Sequence, residues 1–296
     1  MKPNQKKAYI YAISAVLLWS TVAVSFKIAL QYVDFLQLLF FASFTAIIIY
    51  SSIALINGSY HELFKIKKRE VLSSAFIGFL NPFLYYVVLF KAYSLLPAQI
   101  AQSLNYLWPA VLVLLSAPLL GEKLKFLSIL SLLVGFVGVY VISTQGDLFG
   151  FKIDEPIGVA LAAGSSVIWA LSWIFNQKDK RREQTKLFWN FVFGFLYIFI
   201  SVILFSELKL LNIEGIAAVI YVGFFEMGIT FFFWLKALHL TERNDQISNL
   251  IFFSPFLALI FIHFVLGETI YYTTYIGLIL IISGIFIPRI KFKLKK

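Results

Sequence analysis

Glu226 lies halfway along the apolar stretch Val222-Gly-Phe-Phe-Glu-Met-Gly-Ile-Thr230. In lipid, a charge at that depth costs at least about 2.5–3.5 kcal/mol, so the side chain must turn inward to a partner or a cavity. There it can carry a proton or hold an amine; the alternative is a protonated acid that only donates a hydrogen bond between helices. Thr230 and Trp234 follow at i+4 and i+8, on the same helical face. Trp19 and Trp169 are also deep in apolar runs, and Trp173 and Asn176 continue the Trp169 face. Indoles usually mark the membrane interface. Deeper ones either pack, with the N–H on a carbonyl, or stack on a ring or cation. Asn81 and Tyr85 make a polar pair at i, i+4, and Asn105, Tyr106 and Trp108 crowd within a turn of Pro109. His61, His239 and His263 are scattered and cysteine is absent. No ligand spacing, nucleotide loop or nucleophile triad is present, so the sequence predicts no catalytic residues, no metal and no cofactor.

Long apolar elements must position these residues. The 296 residues are 60% hydrophobic and 14% charged, with a mean hydropathy of +0.87. A soluble domain is about a quarter charged. Too little polar surface exists to cover a soluble globule, which points to an all-α membrane protein. A span needs about 20 apolar residues. Ten candidates fit: 8–30, 36–57, 71–95, 98–120, 125–143, 157–176, 187–206, 214–238, 244–266 and 272–290. The first, preceded by a basic start, is expected to remain as a span that also targets the chain. Pro109 inside the fourth run and Pro255 inside the ninth are expected to kink those helices.

The net charge of +10 belongs to topology and not to nucleic acid. With the N-terminus inside, all of the 25 lysines and arginines fall in cytoplasmic segments except Lys27, Lys91, Lys152 and Lys209. That asymmetry predicts both termini cytoplasmic in a bacterial-type plasma (inner) membrane. Lys27 is expected to pair with Asp34. Lys91 and Lys236 are expected to snorkel or to steer an anionic or zwitterionic substrate, and Lys178 to Lys186 reads as a cytoplasmic loop set first by topology and only second by contact with anionic lipid headgroups.

The chain repeats itself. Trp19 matches Trp169 at an offset of 150, and Gly78 matches Gly223, as Lys91-Ala92 matches Lys236-Ala237, at 145. Gly121-Glu122 matches Gly267-Glu268, and Gly138 matches Gly284, at 146. The units are residues 1–143 and 157–296, joined by an outer linker, 144–156. Five helices per unit is an odd number, which predicts two inverted five-helix repeats with a site at the midplane between them. Glu122 and Glu268 are expected to cap the helices that follow. Ser131, Gly135, Gly138, Gly277 and Gly284 are expected to allow close packing, within the chain or across a homodimer.

These features resemble the EamA-type members of the drug/metabolite transporter superfamily. The Asn105-Tyr-Leu-Trp-Pro109 string is similar to the same position in the aromatic amino-acid exporter branch. The resemblance implies export of amino acids or other metabolites through a cavity lined by helices 1, 3, 4, 6, 8 and 9. The expected partners are therefore a small-molecule substrate and the lipid bilayer. Substrate would be bound by Trp19, Asn81, Tyr85, Asn105, Tyr106, Trp108, Trp169, Trp173, Thr230 and Trp234, with Glu226 as the proton-coupling candidate. Export of a drug-like cation and a facilitator without ion coupling are the alternatives. A phosphorylated substrate is disfavoured, because no Lys or Arg lies near the midplane. A non-transporting receptor or an enzyme is disfavoured by the repeat and the absent catalytic cluster.

Overall fold

The computed structural model describes residues 4–121, 126–147, 154–207, 211–241, 247 and 249–287. Glu122, Lys123, Lys125, Lys152, Lys209 and Arg243 lie outside the described residues, as do the basic tail, the middle of the linker and the expected starts of the fifth and ninth runs. The same holds for the His239 side chain. Among the described residues seven helices are long and apolar enough to cross a membrane, and three shorter apolar helices accompany them. Among the described residues there is no strand.

The helices are α1 (Gln5–Ala29), α2 (Phe35–Ile56), α3 (Lys68–Leu95), α4 (Ala98–Leu120) and α5 (Phe126–Ser143). They are followed by α6 (Pro156–Lys178), α7 (Glu183–Phe205), α8 (Ile213–Leu238), α9 (Leu250–Leu266) and α10 (Tyr272–Phe286). Short polar side chains start several of them by accepting orphan backbone N–H groups. Asn4 accepts from Lys7 N at 3.0 Å, Asp34 from Leu36 N at 2.8 Å and Gln37 N at 3.0 Å, and Asn212 from Gly215 N at 2.9 Å.

Four helices are interrupted. In α3 a π-helical stretch, Phe79–Leu84, follows Gly78, and Asn81 within it leaves helical dihedrals (φ −150°, ψ 118°) ahead of Pro82. In α8 a π-helical stretch covers Val222–Ile229. The expected proline kinks take a different form. Helix α4 breaks at Tyr106-Leu107, and Pro109 sits in the first turn of the new segment, Trp108–Leu120. Pro255 likewise sits in the first turn of Ser254–Leu266, after a 3₁₀ turn over Leu250–Phe253. A first-turn proline removes no helical hydrogen bond, because its N–H would be an orphan there. Both segments end on a left-handed glycine, Gly121 at φ 74° and Gly267 at φ 69°, a conformation that glycine adopts without a Cβ penalty.

Helix α1 packs on α8 and α9, α2 on α7 and α8, α3 on α6 and α7, and α4 on α6. Helices α5 and α10 pair closely with each other. A Cβ on Gly138 would lie 2.6 Å from Gly277 O, and one on Gly277 would lie 2.5 Å from Gly138 O. The small-residue stripe is thus used inside the chain and gives no argument for a second copy. Large side chains such as Phe44, Ile48, Leu133, Phe136, Ile200 and Phe264 remain exposed, as lipid-facing positions would be.

Candidate functional site

A cavity of ≈ 380 Å³ opens between α1, α3, α4, α6, α8 and α9, with Ile285 of α10 at its edge. It gathers Trp19, Tyr85, Asn105, Tyr106, Trp108, Trp169, Trp173, Trp234 and Glu226. Nine of the eleven expected site residues therefore meet, although they come from five helices.

Rings form most of the wall. Tyr85 and Trp169 have centroids 4.5 Å apart, Trp169 and Phe231 5.9 Å, Trp19 and Phe231 5.5 Å, and Trp19 and Trp234 5.5 Å. These tilted and edge-on contacts are favoured geometries for aromatic pairs. They hold the rings in place along the wall.

The polar groups are few and mostly paired. Asn105 donates through Nδ2 to Ser165 Oγ at 2.7 Å and accepts from the Tyr85 hydroxyl at 3.3 Å. That fixes its amide orientation and ties α4 to α6 and α3. The Tyr106 hydroxyl reaches Ser254 of α9, whose Oγ accepts from Ser20 Oγ of α1 at 3.3 Å. Glu226 is 7% exposed. Its Oε1 accepts from the Tyr86 hydroxyl at 3.0 Å, and Trp19 is its other polar neighbour. Its Oε2 is buried and has no hydrogen-bond partner among the described residues. Gln102 Oε1, on the same cavity wall, is in the same condition. Both residues line the ring-walled cavity, and each keeps one buried oxygen without a close hydrogen bond among the described residues.

The π stretch of α8 explains how Glu226 is placed. Gly223 and Gly228 let α8 lie directly on α2. A Cβ on Gly223 would meet Ala42 O at 2.5 Å, and one on Gly228 would meet Ile49 Cδ1 at 2.5 Å. The Tyr50 hydroxyl of α2 donates to Met227 O at 2.5 Å, so a backbone acceptor of the widened turn is satisfied from the neighbouring helix. π-Helical stretches of this kind frequently mark functional sites.

Two expected residues lie elsewhere. The Thr230 hydroxyl donates to Phe225 O of its own helix and is fully buried, so it reaches no cavity. Asn81 lines a second cavity of ≈ 370 Å³ instead, because the Pro82 interruption redirects its backbone. That cavity lies between α3, α6 and α7 and shares Trp169, Trp173 and Gln177 with the first. At its end, Asp179 binds Arg181. Burial pushes the Asp179 carboxyl up, but the hydrogen bonds and charge of Arg181 outweigh this and hold it below the usual carboxylate range.

Other expectations are redirected. Lys27 does not pair with Asp34. Its Nζ donates to Tyr93 O at 3.0 Å and Leu96 O at 3.1 Å, at the negative C-terminal end of α3. Asp34 instead caps α2 and accepts from Ser206 Oγ. Glu268 does not cap the helix that follows it. It accepts from Ala98 N at 2.8 Å and Gln99 N at 3.3 Å, so it caps α4. Lys91 lies 5.3 Å from the Phe35 ring centre, and Lys236 lies 5.2 Å from that of Tyr11.

Residues that the sequence reading missed include Phe26, Tyr93, Gln102 and Phe231. Gln102 had a readable signal, an amide three residues before Asn105 in an apolar run. The phenylalanines had none, being two among 33 of their kind.

Apolar helices around a ring-lined cavity that holds one buried carboxyl are the make-up of a multi-pass membrane transporter. The chain belongs to the EamA-like transporter family, whose sequence model matches it twice, over residues 6–144 and 156–288. It is similar to the uncharacterized transporter YvbV of Bacillus subtilis, 26% identical over 225 residues, which is 73% of this chain and 71% of that protein. A shorter stretch of 98 residues is 33% identical to the aromatic amino acid exporter YddG of Ancylobacter novellus, covering 33% of this chain and 34% of that one. A solved crystal structure matches with a TM-score of 0.69 over 96% of this chain and 97% of its own, at 22% identity, a likeness of fold alone. The family and the names of the relatives indicate a transporter rather than an enzyme.

Proposed function

We propose that the protein is a secondary exporter of small amphipathic metabolites, amino acids with aromatic or aliphatic side chains first among them. The observation that carries this reading is the pairing of two unpartnered acceptors, Glu226 Oε2 and Gln102 Oε1, with a wall of indoles and phenols. An ammonium group satisfies buried acceptors, and a ring or aliphatic chain satisfies the wall. The partial similarity to an aromatic amino acid exporter supports the same class.

In this reading all ten helices cross a bacterial-type inner membrane with both termini cytoplasmic. Residues 1–143 and 157–296 are inverted five-helix repeats joined by 144–156. The partners are the substrate and the bilayer, and no cofactor or ATP hydrolysis is needed. Rocking of one repeat against the other exposes the cavity to each side in turn. Glu226 changes protonation as the amine enters and leaves, which couples export to protons.

Efflux tests this directly. Cells preloaded with labelled phenylalanine or leucine should lose it faster when they express the protein; loss at the rate of empty cells rejects the substrate class. A drug-like cation is the second reading, favoured by the same carboxyl and rings. It predicts that phenylethylamine, which lacks a carboxylate, is exported as well as phenylalanine.

A further inference from the structure

The second cavity has its own unspent chemistry. It is bordered by Asn176, Asp179, Arg181, Glu183, Lys186 and Asn190, with Trp169, Trp173 and Phe231 on the side toward the first cavity. Arg181 Nε donates to both Asp179 oxygens at 3.0 Å, and its Nη2 donates to Asp179 Oδ2 at 2.5 Å and to Ser74 Oγ at 2.7 Å. Lys186 Nζ donates to Asn176 O at 3.0 Å and lies 2.7 Å from Glu183 Oε1. Asn190 Nδ2 donates to Asn176 Oδ1 at 3.1 Å.

Two groups in this network are left over. Arg181 Nη1 and Asn190 Oδ1 are buried and have no hydrogen-bond partner among the described residues. Arg181 has a side chain only 10% exposed, and Asn190 is 1% exposed. Unpaired buried polar atoms are costly, so a ligand that supplies what these two lack is favoured at this cavity. One is a cationic donor and the other a neutral acceptor. The ligand must therefore bring both an acceptor and a donor.

The charges narrow this further. Arg181 and Lys186 are each paired with a carboxylate, Asp179 and the half-exposed Glu183, so these two ion pairs balance, and Lys180 adds a cation at the exposed rim. A purely anionic ligand would face two carboxylates, and a purely cationic one would face Arg181 and Lys186. A zwitterion adds no net charge and meets both spare groups. A quaternary-ammonium headgroup does not fit, because it has no N–H for Asn190. We infer that this cavity is a second binding site for a zwitterionic aromatic α-amino acid, with its carboxylate on Arg181, its ammonium on Asn190 and its ring against Trp173. Trp169, Trp173 and Gln177 border both cavities, so the ligand waits beside the central site and passes along α6 into it. The inference rests on the amino-acid reading above and adds a place where that substrate is held before it reaches Glu226.

Equilibrium binding of tritiated phenylalanine to the full-length protein in nanodiscs tests it. Two molecules should bind per chain. Asn190→Leu should bind one, with its size-exclusion profile and helical circular dichroism unchanged. Arg181→Lys keeps the charge but loses the planar fork, and should weaken the second site about tenfold. At that site neither phenylethylamine nor phenylpropionate should displace phenylalanine. One molecule per chain, unaltered by Asn190→Leu and Arg181→Lys, overturns the second site while leaving the central one standing. Displacement by phenylpropionate alone also overturns it, since the site would then be selective for anions. No saturable phenylalanine binding at all rejects the amino-acid reading itself, and the second site with it.

Discussion

Helices α3 and α8 have the same backbone plan and different chemistry. Each has a glycine at the matched position, Gly78 or Gly223, and each widens into a π-helical stretch just beyond or around it. Each glycine presses on the second helix of the other matched stretch. A Cβ on Gly78 would be 3.0 Å from Gly194 N of α7, and one on Gly223 would be 2.5 Å from Ala42 O of α2. The side chains at the widened turns diverge. Asn81 in α3 faces the second cavity, and Glu226 in α8 faces the first. Helices α4 and α9 repeat the lesson. Both have a proline in the first turn of the second segment and a left-handed glycine at the end, but only α4 has Asn105, Tyr106 and Trp108. Glycine and proline preserve the geometry of the halves, and the chemistry is placed on one copy at a time.

The sharpest break of this comparison is at the shared glycines. Gly78→Leu and Gly223→Leu should both abolish recovery of monodisperse protein, because the added carbons would overlap neighbouring backbone and not merely a flexible side chain. Overpacking costs about 1–3 kcal/mol where side chains can yield, and more where backbone must move. Gly164→Ala, which has nothing within 4 Å of the added Cβ, should be recovered as wild type. Purification yield and thermal unfolding in detergent decide it. If only one of the two leucine variants fails, the glycines are not equivalent and the matched packing is not a shared requirement.

Transport should then separate the two widened turns. Glu226→Gln keeps the shape and the contact with Tyr86 but cannot ionise. It should lower efflux at least about tenfold and flatten its dependence on pH, given about 1.5–3 kcal/mol for a hydrogen bond to a charged group. Asn81→Ala should change efflux less than about threefold if its cavity only delivers substrate. Equal effects would mean that the two turns share the chemistry. An unchanged pH profile in Glu226→Gln would leave a facilitator without ion coupling.

What the sequence disclosed follows from cost. Glu226 was legible because a carboxyl in an apolar run has few structural excuses, and the deep indoles were legible for a similar reason. The long helices were legible from length and hydropathy alone. Arg181, Lys186 and Asn190 were not. A basic cluster at the end of a span reads as topology, and only the fold tucks Arg181 and Lys186 inward. The partner of Glu268 was equally hidden. A carboxylate beside a glycine looks like a cap for the next helix, yet tertiary packing brings the N-terminus of α4 nearer. Proline reads as a kink in any helix, and whether it bends one or starts one depends on a break at Tyr106-Leu107 that no local signal announces.

The inter-helix connections on the two halves differ in a way that pH can expose. Between α1 and α2, Asp34 caps a helix, whereas between α6 and α7, Asp179 holds Arg181 through several hydrogen bonds. Because Arg181 holds the folded-state carboxyl of Asp179 below its ordinary range, its contribution is fully present above the unfolded value and is lost as pH falls through the folded one. Asp179→Asn should cost about 1–3 kcal/mol near neutral pH. The gap from wild type should begin to narrow below about pH 4 and shrink further as the solution becomes more acidic. Thermal unfolding at several pH values reads it. A gap that stays constant down to acid pH would mean that the carboxylate charge contributes nothing there.

The smallest effects belong to the helix ends. Lys27 donates to two carbonyls at the end of α3 from a partly buried position, whereas Lys178 donates to Leu119 O at 2.8 Å from an exposed one, at the end of α4. A cation at a helix C-terminus stabilises by about 0.3–1 kcal/mol when exposed and up to about 2 kcal/mol when partly buried. Lys27→Met should therefore lower stability by about 1 kcal/mol, and Lys178→Met by a few tenths at most. The two also differ in their response to salt. Added salt screens exposed charges strongly and buried ones weakly. In 1 M salt the Lys178→Met difference should vanish while most of the Lys27→Met difference persists. If both vanish together, Lys27 acts as an ordinary surface charge, and the carbonyls at the end of α3 are satisfied by something else.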